Sequence, residues 1–147
     1  MDFGRFPKIP RLSRDIVITE KIDGTNTHIY ISNDLSEILA GSRNRWLSPG
    51  QEDHHGFAAW VMENRNELLK LGPGHHFGEW WGQGIQRGYG LQEKRFSLFN
   101  VTKWGYALVR PACCHVVPVV GHGNFIDSVI VAALDTLRIG GSIAAPG

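Results

Sequence analysis

The chain has 147 residues, of which 42% are hydrophobic and 20% charged, and its 15 basic and 14 acidic side chains leave a net charge of +1. These fractions are average for globular proteins and argue against a disordered chain or a coiled coil. The near-zero charge argues against binding nucleic acid by overall charge alone. Cys113 and Cys114 exclude a disulfide framework and indicate a reducing cytoplasm. No stretch is apolar enough to span a membrane, and charges across residues 2–15 exclude a signal peptide.

The first part of the chain predicts strands and turns. Residues 1–14 indicate an extended lead-in, and the β-branched segment Asp15–Thr19 predicts a strand. The residues of Asp23–Asn26 favour a turn. Apolar and polar residues alternate over Thr27–Ser32, which predicts a second strand antiparallel to the first. Ser36–Ala40 is a candidate third strand.

Two helices are predicted by apolar residues that recur at helical spacing. The first covers Phe57–Leu71 and ends at Gly72-Pro73, and the second runs from a cap at Asn124 to Gly140. Three segments between them predict strands: His75–Trp81, Phe96–Lys103 and His115–Val120. The expected fold class is α+β, with largely antiparallel sheets and flanking helices.

The most informative stretch is Thr19–Asn26 (TEKIDGTN), where Lys21 stands between a strand and a glycine turn. This position places an amine at the edge of the sheet. A lysine attacks only as the neutral amine, which burial or nearby positive charge favours. Taken alone, this pattern is weak evidence for a nucleophile, since an ordinary exposed lysine beside a hairpin turn would give the same pattern.

Three further blocks follow in order. Gly41–Leu47 (GSRNRWL) carries two arginines after a short strand. Gly78–Gly90 (GEWWGQGIQRGYG) places one carboxylate, that of Glu79, at a strand end before a glycine-rich loop. Phe96–Val101 (FSLFNV) is a strand with aromatic residues at near-alternating positions. Four blocks in a fixed order are far more specific than one.

In this order the blocks resemble the ATP-dependent RNA ligases, a family of the covalent nucleotidyltransferase superfamily. The superfamily also contains ATP-dependent DNA ligases and mRNA capping enzymes. The resemblance extends over roughly residues 6–120. Four segments carry it: the nucleophile motif at Glu20–Asn26, the arginine motif at Ser42-Arg43, the ribose-binding carboxylate motif at Phe77–Trp80 with Gly84–Gln86, and the adenine-stacking strand at Phe96–Phe99.

The resemblance implies that Lys21 attacks the α-phosphate of ATP, forming lysyl-AMP and releasing pyrophosphate. AMP then passes to an RNA 5′-phosphate, and an RNA 3′-hydroxyl displaces it to seal the strand. Mg²⁺ and arginines would neutralise the phosphate charge, with no protein ligand of the metal assigned. The resemblance also implies six nucleotide contacts: Glu20 and Ile22 at adenine, Asn26 and Arg43 at the sugar or phosphate, Glu79 at the ribose, and Phe99 stacked on the base.

The sequence departs from the family after these blocks. The family continues with a Glu-Gly strand that helps to bind metal and a strand with two lysines that hold the triphosphate. This chain has no glutamate after Glu93 and no lysine after Lys103. We therefore expect a single truncated nucleotidyltransferase domain over residues 1–147, without an OB domain, that adenylylates slowly or not at all. A sheet edge exposed by truncation would favour self-association.

Other interpretations are weaker or stay open. A module that binds nucleotide or nucleic acid without catalysis fits the missing motifs, whereas Gly84–Gln86 disfavours a DNA ligase. The histidine and cysteine doublets lack zinc-ligand spacing, and no hydrolase elbow occurs. Trp80, Trp81 and Trp104 are expected in the core more than as stacking platforms. A basic series is either a phosphate track or a solvated face: Arg87, Lys94, Arg95, Lys103 and Arg110.

Overall fold

Three stretches of the chain are described by the computed structural model: residues 15–50, 53–124 and 127–145. The chain divides into two compact units, the terminal unit (residues 1–21 and 118–147) and the central unit (residues 22–117). The predicted lead-in lies outside the described residues. Within the described stretches, no helix combines the length and apolarity that crossing a bilayer requires.

A five-stranded sheet organises the central unit. Its strands are β2 (Thr25–Ile31), β3 (Ile38–Ser42), β4 (Gly74–Gly82), β5 (Lys94–Leu98) and β6 (His115–Val116). They lie in the order β3-β2-β4-β5-β6, and all neighbours are antiparallel except β5 and β6. The predicted α+β class with largely antiparallel sheets is confirmed.

One face of this sheet, which we call the core face, packs against short helices. These are α1 (Phe57–Glu63), α2 (Arg65–Leu68), a 3₁₀ turn (Leu69–Leu71) and α3 (Val101–Trp104). Phe57 of α1 is fully buried, with its ring 5.3 Å from that of Trp80 and 5.5 Å from that of Phe96. Trp104 belongs to the same buried cluster, so the prediction that Trp80 and Trp104 lie in the core is confirmed. Trp81 is buried as well, but it lies on the same face of β4 as Glu79 and outside this cluster.

The opposite face of the central sheet, the open face, carries polar and aromatic side chains. Along β2, Thr27, Ile29 and Ile31 are buried, and the residues between them are half-buried. Since side chains alternate across a strand, the intervening residues share the open face with their partners on β4. Three cross-strand pairs lie there: Asn26 with Glu79, His28 with Phe77, and Tyr30 with His75.

The terminal unit contains β1 (Asp15–Thr19), paired antiparallel with β7 (Val119–Asn124), and the helix α4 (Asp127–Gly140). The predicted strand at Asp15–Thr19 is confirmed, and so is a second helix that ends at Gly140. The predicted cap at Asn124 is wrong, because Asn124 is the last residue of β7 and pairs with Asp15, and the helix begins at Asp127. The predicted pairing of the first two strands is wrong, because β2 pairs with β3 and β4 instead. A two-residue turn would align the strands, but five residues separate them, and two of those donate their N–H groups to side chains elsewhere.

The predicted helix over Phe57–Leu71 is divided at Asn64. The Asn64 backbone leaves helical geometry at φ −105°, and its side-chain amide donates to the Trp60 carbonyl at 2.9 Å. An asparagine that bonds the backbone of the preceding turn competes with the helix. The predicted helical region is therefore two short helices and a 3₁₀ turn.

Two predicted strands have other bounds than expected. The strand predicted over Phe96–Lys103 ends at Leu98, because the Asn100 side chain accepts the Lys103 N–H at 3.1 Å and caps α3. The strand predicted over His115–Val120 is divided into β6 and β7 at Pro118, which has no N–H to donate to a sheet. Asn100 and Pro118 are residue types that interrupt strands, but the surrounding apolar pattern favoured a continuous strand in each prediction.

Candidate nucleotide-binding site

The segment that carries the predicted nucleophile joins β1 to β2. Lys21 is exposed and is the last residue of the first stretch of the terminal unit, whereas Ile22 is buried and begins the central unit. Residues 20–24 belong to none of the strands. The path of the backbone around Lys21 therefore depends on the hydrogen bonds of its neighbours.

Glu20 is fixed by the end of the described chain. It is only 6% exposed, and its carboxylate accepts the Ser142 hydroxyl at 2.6 Å and the N–H groups of Ile143 and Ala144 at 2.7 and 3.2 Å. Its own N–H donates to the Pro118 carbonyl at 2.9 Å. Because the side chains of Glu20 and Ile22 are both buried, their predicted adenine contacts would fall to their backbone groups.

The turn after Lys21 is held by two side chains. The Asp23 N–H donates to the Tyr89 hydroxyl at 2.8 Å, and the Gly24 N–H donates to Glu79 Oε2 at 2.9 Å. A Cβ at Gly24 would lie 2.5 Å from the Trp80 carbonyl oxygen, which is a steric overlap. Glycine is therefore required here by close packing of the turn against β4.

Three of the predicted nucleotide contacts form one hydrogen-bonded network. Asn26 and Glu79 are cross-strand partners, and Glu79 is only 8% exposed. In the amide orientation that satisfies both neighbours, Asn26 donates to Glu79 Oε1 at 2.9 Å and accepts from the Arg43 guanidinium. The structure thus brings a carboxylate, an amide and an exposed cation together at one end of the open face.

An aromatic cleft of about 320 Å³ adjoins this network. Phe99, the predicted adenine-stacking residue, is 41% exposed there, and Phe77 is 56% exposed. The His28 ring stacks against Phe77 with centroids 5.3 Å apart. Burial, followed by the charge of His75, lowers the pKa of His28 below its ordinary 6.5, so the imidazole is neutral at pH 7. Such flat, uncharged rings suit the face of a purine.

Sequence reasoning gave no role to His28 or Tyr89, and it quoted Phe77 only as part of a motif. The signal for His28 was present, because it lies two residues after Asn26 and shares its face of β2. Phe77 lies two residues before Glu79 and shares its face for the same reason. No local pattern pointed to Tyr89, which bonds a residue 66 positions away.

The predicted basic series divides between two places. Arg87 lies over the Tyr89 ring at 5.1 Å, and Arg95 over the Trp81 ring at 5.8 Å. The Lys103 ammonium instead lies 4.9 Å from the Trp104 ring, and Arg110 donates to the Trp104 carbonyl. Four of the five cations therefore have an aromatic or backbone partner within this chain, so their positions do not require a bound nucleic acid.

The histidines and cysteines do not converge. Within residues 15–50, 53–124 and 127–145, no group of three or more histidine, cysteine, aspartate or glutamate side chains could hold a metal ion. His54 shares a hydrogen bond with the Thr25 hydroxyl at 2.7 Å, and His76 with the Gly72 carbonyl at 2.8 Å. Both cysteines are free thiols.

Comparison with known proteins places this geometry in context. A family model described as RNA ligase matches residues 14–143, which is most of the chain. No curated protein sequence matches the chain significantly.

Among solved structures, the chain is similar to an RNA ligase of Naegleria gruberi. An apo variant of that ligase gives a TM-score of 0.63 at 19% identity, over 93% of this chain and 44% of that chain. A variant with AMP and Mn gives 0.62 at 18% identity, over 91% and 44%. A variant with ATP and Mn gives 0.59 at 19% identity, over 80% and 39%. The likeness shows a shared fold, and the chain spans about two fifths of the relative's length.

Proposed function

Because the chain belongs to the RNA ligase family, we propose that it carries the adenylation chemistry of an ATP-dependent RNA ligase. In this proposal the Lys21 amine attacks the α-phosphorus of ATP. A phosphorus–nitrogen bond forms, the bond from the α-phosphorus to the bridging oxygen breaks, pyrophosphate leaves, and the amine proton passes to solvent. AMP is then transferred to an RNA 5′-phosphate, and an RNA 3′-hydroxyl displaces AMP to form the phosphodiester.

The observation that carries the proposal is the Asn26–Glu79–Arg43 network beside the aromatic cleft. A buried carboxylate accepts the hydroxyl groups of a ribose, and an exposed guanidinium pairs with phosphate oxygens. Phe99 and Phe77 offer exposed ring faces for adenine. The cleft and the network beside it would thus offer a partner for each part of an adenosine monophosphate.

We propose Mg²⁺ as the ion that accompanies ATP. The Naegleria gruberi structures contain Mn with ATP or AMP. The side chains in the described part of this chain do not form a metal centre of their own. Mg²⁺ is commonly held by substrate phosphates with one or two carboxylates, so the triphosphate itself would supply most of its ligands.

The remaining predictions about the chain stay proposals. We propose that RNA with a 5′-phosphate and a 3′-hydroxyl is its partner, and that it works as one nucleotidyltransferase domain in the cytoplasm. The free thiols of Cys113 and Cys114 support a reducing compartment.

We also propose self-association through strand pairing. The two-residue strand β6 lies at the edge of the central sheet, where such pairing would occur.

The second candidate is a module that binds nucleotide without forming lysyl-AMP. The observation that favours it is that the hydrogen-bonded network and the cleft consist of residues of the central unit, whereas Lys21 belongs to the terminal unit. Binding without covalent labelling of Lys21 would distinguish this candidate from the first.

The test is the intact mass of the protein after incubation with ATP and Mg²⁺. We expect the mass of one adenylyl group to be added to the wild-type chain and to be absent from Lys21→Ala. Lys70→Ala is the matched control, because Lys70 is an exposed lysine paired with Glu67 at 2.6 Å. A label that persists in Lys21→Ala would overturn the assignment of the nucleophile, and bound but unincorporated ATP would favour the binding module.

A further inference from the structure

The glycine-rich loop after β4 is a folded strap. Gln83 N–H donates to the Glu93 carbonyl at 2.9 Å, and a series of tight turns continues through Gly88 to Leu91. Ile85 anchors the strap in the core and is fully buried. Two non-glycine residues, Gln86 at φ 47° and Tyr89 at φ 55°, occupy the left-handed region. An aromatic residue persists in that conformation only where its surroundings determine it.

Three contacts of the Tyr89 side chain hold this residue in its left-handed backbone conformation. Its ring meets Trp81 edge to face, with centroids 5.3 Å apart and planes at 83°. The Arg87 guanidinium lies over the ring at 5.1 Å. Its hydroxyl then accepts the Asp23 N–H at 2.8 Å. The strap therefore presents one phenol oxygen to the backbone two residues after Lys21.

This hydrogen bond is one of two that hold the turn. The neighbouring Gly24 N–H donates to Glu79, so two consecutive backbone donors are bound by side chains from β4 and the loop that follows it. Residues 20–24 lie outside every strand, so no sheet ladder fixes them. Loss of the Tyr89 hydroxyl would release one of the two anchors.

We propose that Tyr89 is a positioning residue for the nucleophile, acting through the Asp23 backbone rather than by contact with ATP. The inference rests on the proposed role of Lys21. Phosphoryl transfer depends on holding the attacking group in line with the leaving group, so a small gain in freedom around the lysine slows the chemical step. ATP affinity, set by the cleft around Asn26 and Phe99, should change little.

Tyr89→Phe removes the hydroxyl and keeps the ring, the edge-to-face contact and the stacked guanidinium. Tyr106→Phe is the matched control, since Tyr106 is 75% exposed. We expect single-turnover adenylylation of Lys21 to slow about three- to tenfold in Tyr89→Phe, which corresponds to one ordinary hydrogen bond. ATP affinity, measured in the Lys21→Ala background, should match that of Lys21→Ala alone.

A second readout does not depend on activity. Amide hydrogen exchange at Asp23, followed by NMR, should accelerate in Tyr89→Phe and stay unchanged in Tyr106→Phe. Unchanged exchange at Asp23, or faster exchange with an unchanged adenylylation rate, overturns the positioning role. A wild-type chain that binds ATP but never labels Lys21 overturns the proposed function itself, and with it the nucleophile that Tyr89 would position.

Discussion

The two units of this chain are stabilised in different ways. The central unit buries a continuous apolar cluster that includes Phe57, Trp80 and Phe96. In the described part of the terminal unit, Ala133 is the only hydrophobic residue that is buried, and the buried polar residue is Glu20. Apolar burial therefore stabilises one unit, whereas hydrogen bonds to a single carboxylate contribute strongly to the other.

This difference bears on the nucleophile motif, because the motif crosses the boundary between the units. Glu20 and Lys21 belong to the terminal unit, and Ile22 onward to the central unit. Glu20 is bonded by Ser142, Ile143 and Ala144, so the segment before the lysine depends on a late part of the chain. The segment after the lysine depends on β4 and the loop that follows it. One short motif is therefore held by two separate sets of hydrogen bonds, one on each side of Lys21.

The difference in apolar burial between the two units predicts the greatest change in stability. Phe57→Ala removes a fully buried ring from the central core and should lower the free energy of unfolding by about 3–5 kcal/mol. Leu134→Ala on α4 changes a side chain that is 61% exposed and should alter it by less than about 0.5 kcal/mol. Urea unfolding measures both, with Phe57→Leu as a milder variant. Equal losses from Phe57→Ala and Leu134→Ala would contradict the comparison.

A smaller effect tests the carboxylate anchor of the terminal unit. Ser142→Ala removes the hydroxyl that donates to Glu20 and accepts the Ala145 N–H at 3.1 Å, while the backbone bonds to Glu20 remain. We expect a local loss of about 1 kcal/mol, seen as roughly fivefold faster amide exchange at Ile143 and Ala144. Ser128→Ala, at an exposed position of α4, is the matched control. Unaltered exchange in Ser142→Ala would show that the hydroxyl contributes nothing.

The smallest expected change is a pH dependence of the free energy of unfolding. It would reduce the stability of the central unit at low pH. Burial lowers the pKa of His76 below its ordinary 6.5, and burial does the same for three other histidines of the central unit: His28, His54 and His115. As pH falls below about 6.5, the unfolded chain takes up protons before the folded chain, so the free energy of unfolding decreases. Above that pH this contribution is fully present.

His76→Gln retains a donor for the Gly72 carbonyl but does not titrate, so the decrease between pH 7 and pH 5 should become shallower. His122→Gln, at an exposed position of β7, is the control and should retain the wild-type decrease. Urea unfolding across this pH range measures both variants. An unchanged profile in His76→Gln would show that His76 does not carry the proton linkage.

Much of the fold followed from local patterns. The alternation along β2 predicted the strand, and helical spacing predicted α1 and α4. The order of four motif blocks predicted the family, which the match over residues 14–143 confirms. The pairing of β1 was mispredicted, because a neighbour in sequence was taken as a neighbour in the sheet. The roles of Lys21 and the six nucleotide contacts stay predictions.

Part of the candidate site was accessible from the sequence because the resemblance to the RNA ligases assigned its residues. Asn26, Arg43, Glu79 and Phe99 were selected from their motifs, and the structure brings Asn26, Arg43 and Phe99 to one cleft, with Glu79 bonded to Asn26. The bond of Tyr89 to Asp23 was not accessible in this way. It joins distant residues through a loop whose path depends on five positive φ angles.

The order of the motif blocks was enough to identify the family, and the alternation along each strand was enough to assign its side chains to two faces. The bonds that Ser142 and its neighbours make to Glu20, 122 positions earlier, and the bond between Asp23 and Tyr89 exist only in the folded chain. Local patterns depend on backbone periods that every chain shares. A hydrogen bond between distant residues depends on how the whole backbone closes, and no short stretch of sequence contains that information.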